Sequence, residues 1–359
     1  MKSWYITGPN QLIMEDVAEP ELKPGYALVE VLTAQGSVTE AGMLTLEGDT
    51  HGLKEKLDAA GKASVPGHEC CARVVAVNPG SAFHVGDRVT TLVMIPCGQC
   101  EACKIGNYHA CKKQELLGVT LDGIFSERAL LPERGLMLVP EKLTNCEAAN
   151  LQPLSDCVAG FDSVSFVPGM KVAIFGAGCL GMNMLQIAKA AGAETMIVDI
   201  KEENLALAGK LGADHLINGK QVDAVEEICR LTNGMGADIV FDCAGGNPKR
   251  GLAGLIVLNQ AAKVVKAEGE LMIMAHYGPS VEFPIGELRG KGKKLVMPRY
   301  ATLAHLQKAA ELIENGQVQI EPLVTQRFDG IESVPQMFEV TGNKGNSKTI
   351  NPAQVNIQK

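Results

Sequence analysis

The sequence predicts an α/β protein of two domains, in which a β-rich domain precedes a doubly wound parallel sheet. Short strand-like runs between glycine and proline breaks fill the chain to about residue 140, and after about residue 155 strand-like runs alternate with helical segments. The length of 359 residues also exceeds the size at which a single hydrophobic core usually keeps growing. Both observations favour two cores rather than one.

The first domain is marked by apolar or alternating runs at residues 28–32, 73–77 and 88–93, which are typical of a β-barrel-like domain. The later part predicts strands at residues 172–175, 195–198, 239–242 and 271–274, and helices at 184–191, 202–211, 224–231 and 252–265. Right-handed crossovers would join these strands into one parallel sheet covered on both faces. A helix at 305–314 precedes further short strands, and we expect this tail to return to the first domain.

The charge of the chain excludes several classes of protein. A formal net charge of −8 and an isoelectric point near 5.5 argue against a nucleic-acid-binding surface, which needs clustered basic residues. The one small basic cluster, at residues 289–294, is interpreted as solvated and receives no role. The first residues lack the apolar run of a signal peptide, and no apolar stretch reaches the roughly 18 residues of a membrane span. We therefore expect a cytoplasmic protein without a membrane partner.

The cysteines point to a bound metal. Eleven cysteines, an odd number, fit a reducing compartment better than a disulfide framework. Cys97, Cys100, Cys103 and Cys111 have C-x2-C-x2-C-x7-C spacing, and four thiolates fill a tetrahedral zinc site completely. Such an ion has no open position for substrate, so it would serve to fold the lobe at about residues 95–113. An iron–sulfur cluster and free buried cysteines are the alternatives.

A glycine-rich turn predicts a dinucleotide site. Gly176, Gly178 and Gly181, with Cys179 and Leu180 in the sequence between them, match G-x-G-x-x-G directly after a predicted strand and at the start of a helix. In this context the first glycine makes the tight turn, the second lets the backbone approach a pyrophosphate, and the third brings helix and strand together. This is the fingerprint of a Rossmann domain, whose helix N-terminus faces the phosphates.

The acidic residue after the next strand favours NAD over NADP. Asp199 lies about twenty residues beyond the turn, where a carboxylate binds the adenosine ribose and repels a 2′-phosphate. Lys201 weakens this preference, because a cation there tolerates a phosphate. The alternative is a glycine turn in an unrelated βαβ protein, with Asp199 as a helix cap.

Together with the cysteine lobe and the Rossmann fingerprint, the Gly-His-Glu motif at 67–69 and the Gly-Asp-Arg-Val motif at 86–89 resemble the zinc-containing medium-chain alcohol dehydrogenase family. The resemblance is to its sorbitol, threonine and glucose dehydrogenase branch. It implies a GroES-like catalytic domain at residues 1–155 and 291–359, a Rossmann NAD-binding domain at 156–290 and an active site in the cleft between them. It also implies a homo-oligomer, either a dimer or a tetramer.

The resemblance implies a second, catalytic zinc but departs from the family at one ligand. Ser37 occupies the position of the usual cysteine ligand, and Glu40 that of the usual aspartate. Neutral serine is a poor zinc ligand, whereas the Glu40 carboxylate is able to take the vacated position. His68, Glu69 and Gln152 match the remaining ligand motifs. The simpler interpretations are a core histidine at His68, a solvent-facing charge at Glu40 and a helix-entry polar residue at Gln152.

The resemblance implies a proton route as well. Thr39 matches the family residue that receives the alcohol proton, while Gly42 stands where some members carry a relay histidine, which makes His51 a candidate relay. The sequence therefore predicts an NAD-dependent dehydrogenase that acts on the secondary alcohol of a polyol, sugar or related small compound, with zinc polarising the oxygen. The alternatives are a zinc-independent reductase of carbonyls or activated double bonds that keeps only the structural zinc, and a non-catalytic dinucleotide-binding or redox-responsive protein.

Overall fold

A computed structural model describes residues 1–47, 50–246, 253–277, 281–345 and 352–358. It confirms the α/β fold class, with a largely antiparallel sheet in the first domain and a parallel sheet in the second. Within these ranges, no helix combines the length and the apolar character needed to cross a membrane.

The first domain is organised around one long strand, β3, which is buried along nearly its whole length. This strand, Tyr26–Gly36, pairs antiparallel with β5 (Glu69–Ala76) and β9 (Arg128–Pro132). The main sheet runs β10-β6-β5-β3-β18-β17, and its last two strands, β18 (Ala353–Asn356) and β17 (Gln326–Asp329), come from the C-terminal part of the chain. The strands preceding the second domain are β1 Lys2–Gly8, β2 Gln11–Asp16, β3 Tyr26–Gly36, β4 Ala63–Ser64, β5 Glu69–Ala76, β6 Arg88–Thr91, β7 Met94–Ile95, β8 Glu115–Leu116, β9 Arg128–Pro132 and β10 Leu136–Leu138. The helices are α1 Val38–Met43, α2 Leu53–Ala60, α3 Glu101–Lys104 and α4 Asn145–Ala149.

The second domain is a parallel sheet in the order β13-β12-β11-β14-β15-β16. The chain builds outward from β11 in one direction and then from β14 in the other, so the strand order reverses between these two strands. Ligands bind at such a reversal, beyond the carboxyl ends of the strands. The strands are β11 Lys171–Phe175, β12 Glu194–Asp199, β13 His215–Asn218, β14 Ala237–Asp242, β15 Val265–Ile273 and β16 Lys294–Val296. The helices are α5 Leu151–Phe161, α6 Cys179–Ala190, α7 Glu202–Lys210, α8 Ala224–Leu231, α9 Leu255–Val264 and α10 Ile285–Leu288.

The C-terminal tail returns to the first domain. It contains α11 Leu303–Glu314, β17 Gln326–Asp329, α12 Val334–Gly342 and β18 Ala353–Asn356. Strand β18 pairs antiparallel with β3 and parallel with β17, so the tail completes the first sheet. Helix α11 contributes buried Leu306 and Ala310 to a core that also holds Leu151 and Leu154 of α5. Helix α11, which follows the second domain along the chain, therefore packs against α5, which begins it.

Several predicted element boundaries differ from the structure. Strand β16 extends the parallel sheet to Val296, beyond the predicted boundary at 290, and Lys294 of the basic cluster pairs with Glu270 at 2.9 Å. Strands β13 and β16 were not predicted, because both are short edge strands with exposed apolar side chains such as Leu216 and Leu295. Strand β15 begins six residues earlier than predicted, since Lys266 and Glu268 interrupt its apolar pattern.

Two helix starts also differ. Helix α6 begins at Cys179 rather than at residue 184, because Gly178 is its N-cap and the glycine-rich turn leads directly into it. The predicted start of α9 at residue 252 lies outside the described residues, and the described part of the helix begins at Leu255.

Candidate active site and metal centres

The four cysteines of the lobe converge on one point. Their sulfur atoms all lie within 4.8 Å of one another, and Cys103 Sγ is 3.5 Å from Cys100 Sγ and 3.9 Å from Cys97 Sγ. Sulfurs bound tetrahedrally to one zinc at about 2.3 Å stand roughly 3.8 Å apart, so the spacing fits this ion. Backbone N–H groups of Gln99 and Cys100 lower the pKa of Cys97 to about 6, which favours the thiolate that zinc binds.

The glycine-rich turn joins β11 to α6, and its three glycines differ in the space around them. Gly176 has a left-handed φ of 95°, and a Cβ there would lie 2.6 Å from Ala244 Cβ. A Cβ on Gly181 would lie 1.7 Å from the Gly176 carbonyl oxygen. A Cβ on Gly178 would meet only Lys344 Nζ, at 3.9 Å. The turn thus has no room for a side chain at Gly176 or Gly181, whereas the space around Gly178 is open. A phosphate would approach the N-terminus of α6 through this open space.

The carboxylate of Asp199 is fixed beside this turn. Its Oδ2 accepts the Ala177 N–H at 2.7 Å, and its Oδ1 accepts the N–H groups of Ile200 and Lys201. The Lys201 ammonium donates to the backbone oxygen of Lys344 from the C-terminal tail. Sequence reasoning did not find Lys344, because nothing in the local sequence indicates that the tail reaches the glycine turn.

Ser37 and Glu40 form a capping box at the start of α1. The Glu40 N–H donates to Ser37 Oγ at 3.1 Å, and the Ser37 N–H donates to Glu40 Oε2 at 2.9 Å. Ser37 therefore serves as the N-cap of α1. Glu40 is fully buried rather than solvent-facing, and its second oxygen, Oε1, lies 3.1 Å from His68 Nδ1. The structure brings together two of the four predicted catalytic-metal ligands, His68 and Glu40.

The other two predicted ligands hold different partners. Glu69 Oε2 accepts a hydrogen bond of 2.5 Å from Gln35 Nε2. Gln152 Nε2 donates to Asp156 Oδ2 at 2.8 Å. In the described part of the chain, the four cysteines are the only group of three or more Cys, His, Asp or Glu side chains close enough to share an ion. His68, Glu40 and Glu69 thus do not form a three-ligand cluster in the arrangement observed.

The centre buries acidic groups whose described ion pairs include no lysine or arginine. Burial raises the pKa of Glu40 well above its ordinary value, and the Glu69 charge raises it further. Burial also raises the pKa of Glu69 to about 8, whereas it lowers the pKa of His68 to about 4. Among the described ion pairs, neither glutamate has a lysine or arginine partner. A divalent cation would compensate the charge of these carboxylates.

The two predicted proton-transfer residues lie at the surface. Thr39 is exposed on the first turn of α1, next to Glu40. His51, also exposed, has a left-handed φ of 51°, and its ring centroid lies 5.6 Å from that of His276, which follows β15. This contact joins the two domains, and nothing in the local sequence indicates it.

Comparisons with known proteins agree with this architecture. Residues 23–141 match the alcohol dehydrogenase GroES-like domain, and residues 179–315 match the zinc-binding dehydrogenase domain. L-threonine 3-dehydrogenase of Pyrococcus horikoshii is 30% identical over 344 residues, which cover 92% of this chain and 91% of that protein. The chain belongs to the zinc-type medium-chain alcohol dehydrogenase family.

Two further relatives support membership of this dehydrogenase family. Sorbitol dehydrogenase of Bacillus subtilis is 36% identical over 216 residues, or 59% of each chain. The crystal structure of an Escherichia coli oxidoreductase of unknown specificity superposes with a TM-score of 0.87 at 26% identity, covering 100% of this chain and 99% of the other. Medium-chain dehydrogenases thus share the fold of the whole chain.

The catalytic-zinc position of this dehydrogenase fits a metal in part. Glu40 Oε1 is buried without a hydrogen-bond partner and faces His68, and two ligands bound tetrahedrally at about 2.0–2.1 Å stand roughly 3.3 Å apart. The donor chemistry of carboxylate and imidazole suits zinc. A third protein ligand requires Glu69 or Gln152 to exchange its present partner.

Proposed function

We propose that this dehydrogenase interconverts the secondary alcohol of a small hydroxylated compound, such as a polyol or sugar, and its carbonyl, with NAD as the hydride carrier. The observation that carries the proposal is the position of the acidic centre beside the dinucleotide turn. Gln35, which holds Glu69, accepts a hydrogen bond from Asn150 Nδ2 at 3.1 Å. The same nitrogen lies 3.6 Å from Sγ of Cys179, the first residue of α6. L-threonine 3-dehydrogenase and sorbitol dehydrogenase, both similar to this chain, are named for substrates that carry secondary hydroxyl groups.

The reaction moves a hydride and a proton separately. Bound NAD would accept a hydride from the carbinol carbon of the substrate, and the hydroxyl proton would pass to solvent, so that the products are carbonyl, NADH and a proton. Thr39 suits the first step of proton release, because its hydroxyl is exposed next to the buried centre. His51, beside His276 at the surface, suits a later step.

Residues of the centre would hold the second zinc and keep its ligands in place. His68 and Glu40 would be two ligands, and Glu69 or Gln152 would supply the third. Zinc at this position would lower the pKa of a substrate hydroxyl. The Ser37 N–H holds Glu40 Oε2, which leaves Oε1 facing His68. Gln35 holds Glu69 through a hydrogen bond to the carboxyl.

A zinc-independent reductase with the same fold is the second candidate. The observation that favours it is that Glu69 and Gln152 are already engaged by Gln35 and Asp156. In that case Glu40 and His68 would remain a buried acid–imidazole pair, and only the cysteine lobe would carry zinc.

Zinc content and turnover separate these two candidates. The purified protein would be analysed for zinc per chain while NAD reduction is followed with a panel of secondary alcohols that includes sorbitol and L-threonine. Two zinc ions per chain, with turnover lost as a chelator removes one of them, support the zinc-dependent function. One zinc per chain with chelator-resistant turnover would overturn it in favour of the second candidate.

The preference for NAD is a separate part of the proposal and depends on Asp199. Its carboxylate, held by the N–H groups of Ala177 and Lys201, repels a 2′-phosphate. We expect Asp199→Ser to lower kcat/KM for NAD and to raise it for NADP, with Asp223→Ser, at the N-cap of α8, as the matched control. A wild-type enzyme that prefers NADP would contradict this assignment.

We further propose that the enzyme is a homo-oligomer, either a dimer or a tetramer, as the family resemblance implies. Light scattering of the purified protein measures the mass directly against the 38.1 kDa of one chain.

A further inference from the structure

A row of buried side-chain amides begins at Glu69. Gln35 on β3 lies opposite Glu69 on β5, and its Nε2 donates to Glu69 Oε2 at 2.5 Å. The Gln35 Oε1 atom accepts two hydrogen bonds, one from Asn150 Nδ2 at 3.1 Å and one from Gln354 Nε2 at 2.8 Å. Gln35 and Asn150 are fully buried, and Gln354 is 3% exposed. Water therefore has little access to these amides.

The two donors on Gln35 Oε1 fix the direction of its amide. If the amide were rotated, its NH2 group would face the NH2 groups of Asn150 and Gln354, and the two N–H donors that now bond to Gln35 Oε1 would lose that acceptor. Burying unpaired donors is costly, so Gln35 has one stable orientation, in which its nitrogen faces Glu69. Asn150 thereby helps to hold Glu69 through Gln35.

The other end of the row reaches the dinucleotide turn. Asn150 lies at the junction of α4 and α5, and its Oδ1 accepts from Asn183 Nδ2 at 3.2 Å. Its Nδ2 also lies 3.6 Å from Cys179 Sγ. Cys179 and Asn183 form the first turn of α6, which follows the glycine-rich turn. Asn183 Oδ1 is buried without a hydrogen-bond partner, so Asn150 and Cys179 provide the polar contacts of the Asn183 side chain.

We propose that Asn150 is a positioning residue that couples dinucleotide binding at α6 to the placement of Glu69. The inference rests on the proposed function, in which the N-terminus of α6 holds the dinucleotide and Glu69 belongs to the reacting centre. A displacement of Cys179 and Asn183 on binding changes the position of Asn150, and Gln35 passes this change to Glu69. Each buried amide in the row can satisfy its hydrogen bonds in only one orientation. A movement of one amide therefore moves the next, because water has little access to replace the lost hydrogen bond. Coupling of this kind is reciprocal, so the state of the Glu69 centre also alters dinucleotide affinity.

Hydrogen–deuterium exchange of the full-length protein, with and without saturating NADH, tests the coupling. In the wild-type protein we expect NADH to slow exchange at residues 176–183 and also at residues 67–71. In Asn150→Leu the response at 176–183 should remain, while the response at 67–71 is lost. Gln35→Leu removes the hydrogen bonds between Gln35 and both Glu69 and Asn150, and it should give the same result. The test therefore remains decisive if one of the two variants does not fold.

Gln186→Leu is the matched control. Gln186 is a buried amide on the same helix, but its hydrogen bonds among the described residues go to the backbone of Met182 and Gln319 and not to the row. In this variant NADH should still slow hydrogen–deuterium exchange at residues 67–71. If a general loss of packing caused the effect of Asn150→Leu, Gln186→Leu would lose this response as well. The Kd of NADH should rise about fivefold or more in Asn150→Leu, the lower end of typical coupling between sites, and less in the control.

The outcomes distinguish this inference from the proposed function. If NADH and NADPH both fail to slow exchange at 176–183 in the wild-type protein, the proposed function falls and the coupling with it. If NADH protects 176–183 but not 67–71, or protects 67–71 equally in Asn150→Leu and Gln35→Leu, the coupling alone is overturned.

Discussion

Glu40 Oε1 lies 3.1 Å from His68 Nδ1 and has no hydrogen-bond partner, although Glu40 is fully buried. An unsatisfied buried carboxylate oxygen is costly unless a proton or a cation compensates it. The capping box holds the other oxygen, Oε2, against the Ser37 N–H, so Oε1 has little freedom to turn elsewhere. The loss of the usual cysteine at position 37 is therefore accompanied by a carboxylate aimed at the same centre.

Glu40→Gln tests whether this carboxylate is a metal ligand. The glutamine keeps an oxygen for the Ser37 N–H, so α1 should fold, but it removes the charge that favours a cation. We expect zinc to fall from two ions to one per chain and turnover to fall by at least about 10²-fold. Metal analysis and steady-state rates check this, with Glu55→Gln on exposed α2 as control. Unchanged zinc content and turnover would exclude Glu40 as a ligand.

The pH dependence of stability gives an independent view of the centre. The pKa of Glu69 is raised by burial to about 8, so between its ordinary value and pH 8 the folded state holds a proton that the unfolded state has lost. Stability therefore falls as pH rises through this window. Burial lowers the pKa of His68 to about 4, so between pH 4 and the ordinary histidine value of about 6.5 the unfolded state holds a proton that the folded state has lost. The contribution of His68 to stability therefore rises with pH over this lower range and changes little above it. Above pH 6.5 the Glu69 carboxyl lowers stability as pH rises, whereas the thiolates of the cysteine lobe, such as Cys97, act in the opposite sense. A comparison with Glu69→Gln therefore isolates the contribution of the carboxyl.

In protein with only its structural zinc, we expect the titration of Glu69 to contribute a loss on the order of 1–2 kcal/mol of unfolding free energy between pH 6.5 and 8. Glu69→Gln should reduce this loss, because the amide does not titrate. Urea unfolding at several pH values measures both proteins, and Glu55→Gln, which removes an exposed carboxylate, should leave the slope unchanged. An equal slope in wild type and Glu69→Gln would show that Glu69 does not titrate in this range.

The cysteine lobe makes a prediction that is independent of catalysis. Cys103 is buried among the other three sulfurs, and a serine there would remove one ligand of the tetrahedral site. We expect Cys103→Ser to lose one zinc per chain and to unfold several degrees lower, since metal binding contributes to the folding of such lobes. Cys229→Ser, outside the cluster, is the control. Retention of zinc and thermal stability in Cys103→Ser would contradict a structural zinc.

Local spacing in the sequence predicted the parts of the site that are close together along the chain. The four cysteines and the glycine-rich turn each fall within fifteen residues, so motif spacing was enough to propose their roles. Gln35, Asn150 and Gln354 were not found, because their hydrogen bonds span 115 and 319 residues. Gln35 did carry a signal, as a polar residue inside the apolar strand β3, but its partner could not be deduced from one sequence.

The edges of the sheets were missed for a different reason. Strands β13 and β16 have three or four residues each, and their exposure removes the apolar run that identifies a buried strand. Ser37 and Glu40 were noticed only as departures from the family pattern. Their reciprocal hydrogen bonds show that the same two residues also satisfy the capping box of α1, a local signature that the sequence contains.

Two glycines of the turn should respond differently to the same substitution. A Cβ on Gly181 would stand 1.7 Å from the Gly176 carbonyl oxygen, so Gly181→Ala must displace the turn and should cost about 3 kcal/mol of stability. Gly178 has an ordinary φ of −87° and open space around its Cβ position, so Gly178→Ala should fold normally. The added methyl group nevertheless occupies the approach to the N-terminus of α6, and we expect the Kd of NADH to rise about tenfold, or 1.4 kcal/mol.

Thermal unfolding and NADH titration of both variants separate packing from ligand approach. Gly178→Ala should combine wild-type stability with weak binding, and Gly181→Ala should lose both together. Gly212→Ala serves as the control for a glycine outside the site, since its φ of 91° makes it costly to replace without any effect on binding. Full NADH affinity in Gly178→Ala would mean that the dinucleotide does not approach the backbone at this position, and the assignment of the open side of the turn to the pyrophosphate would then be wrong.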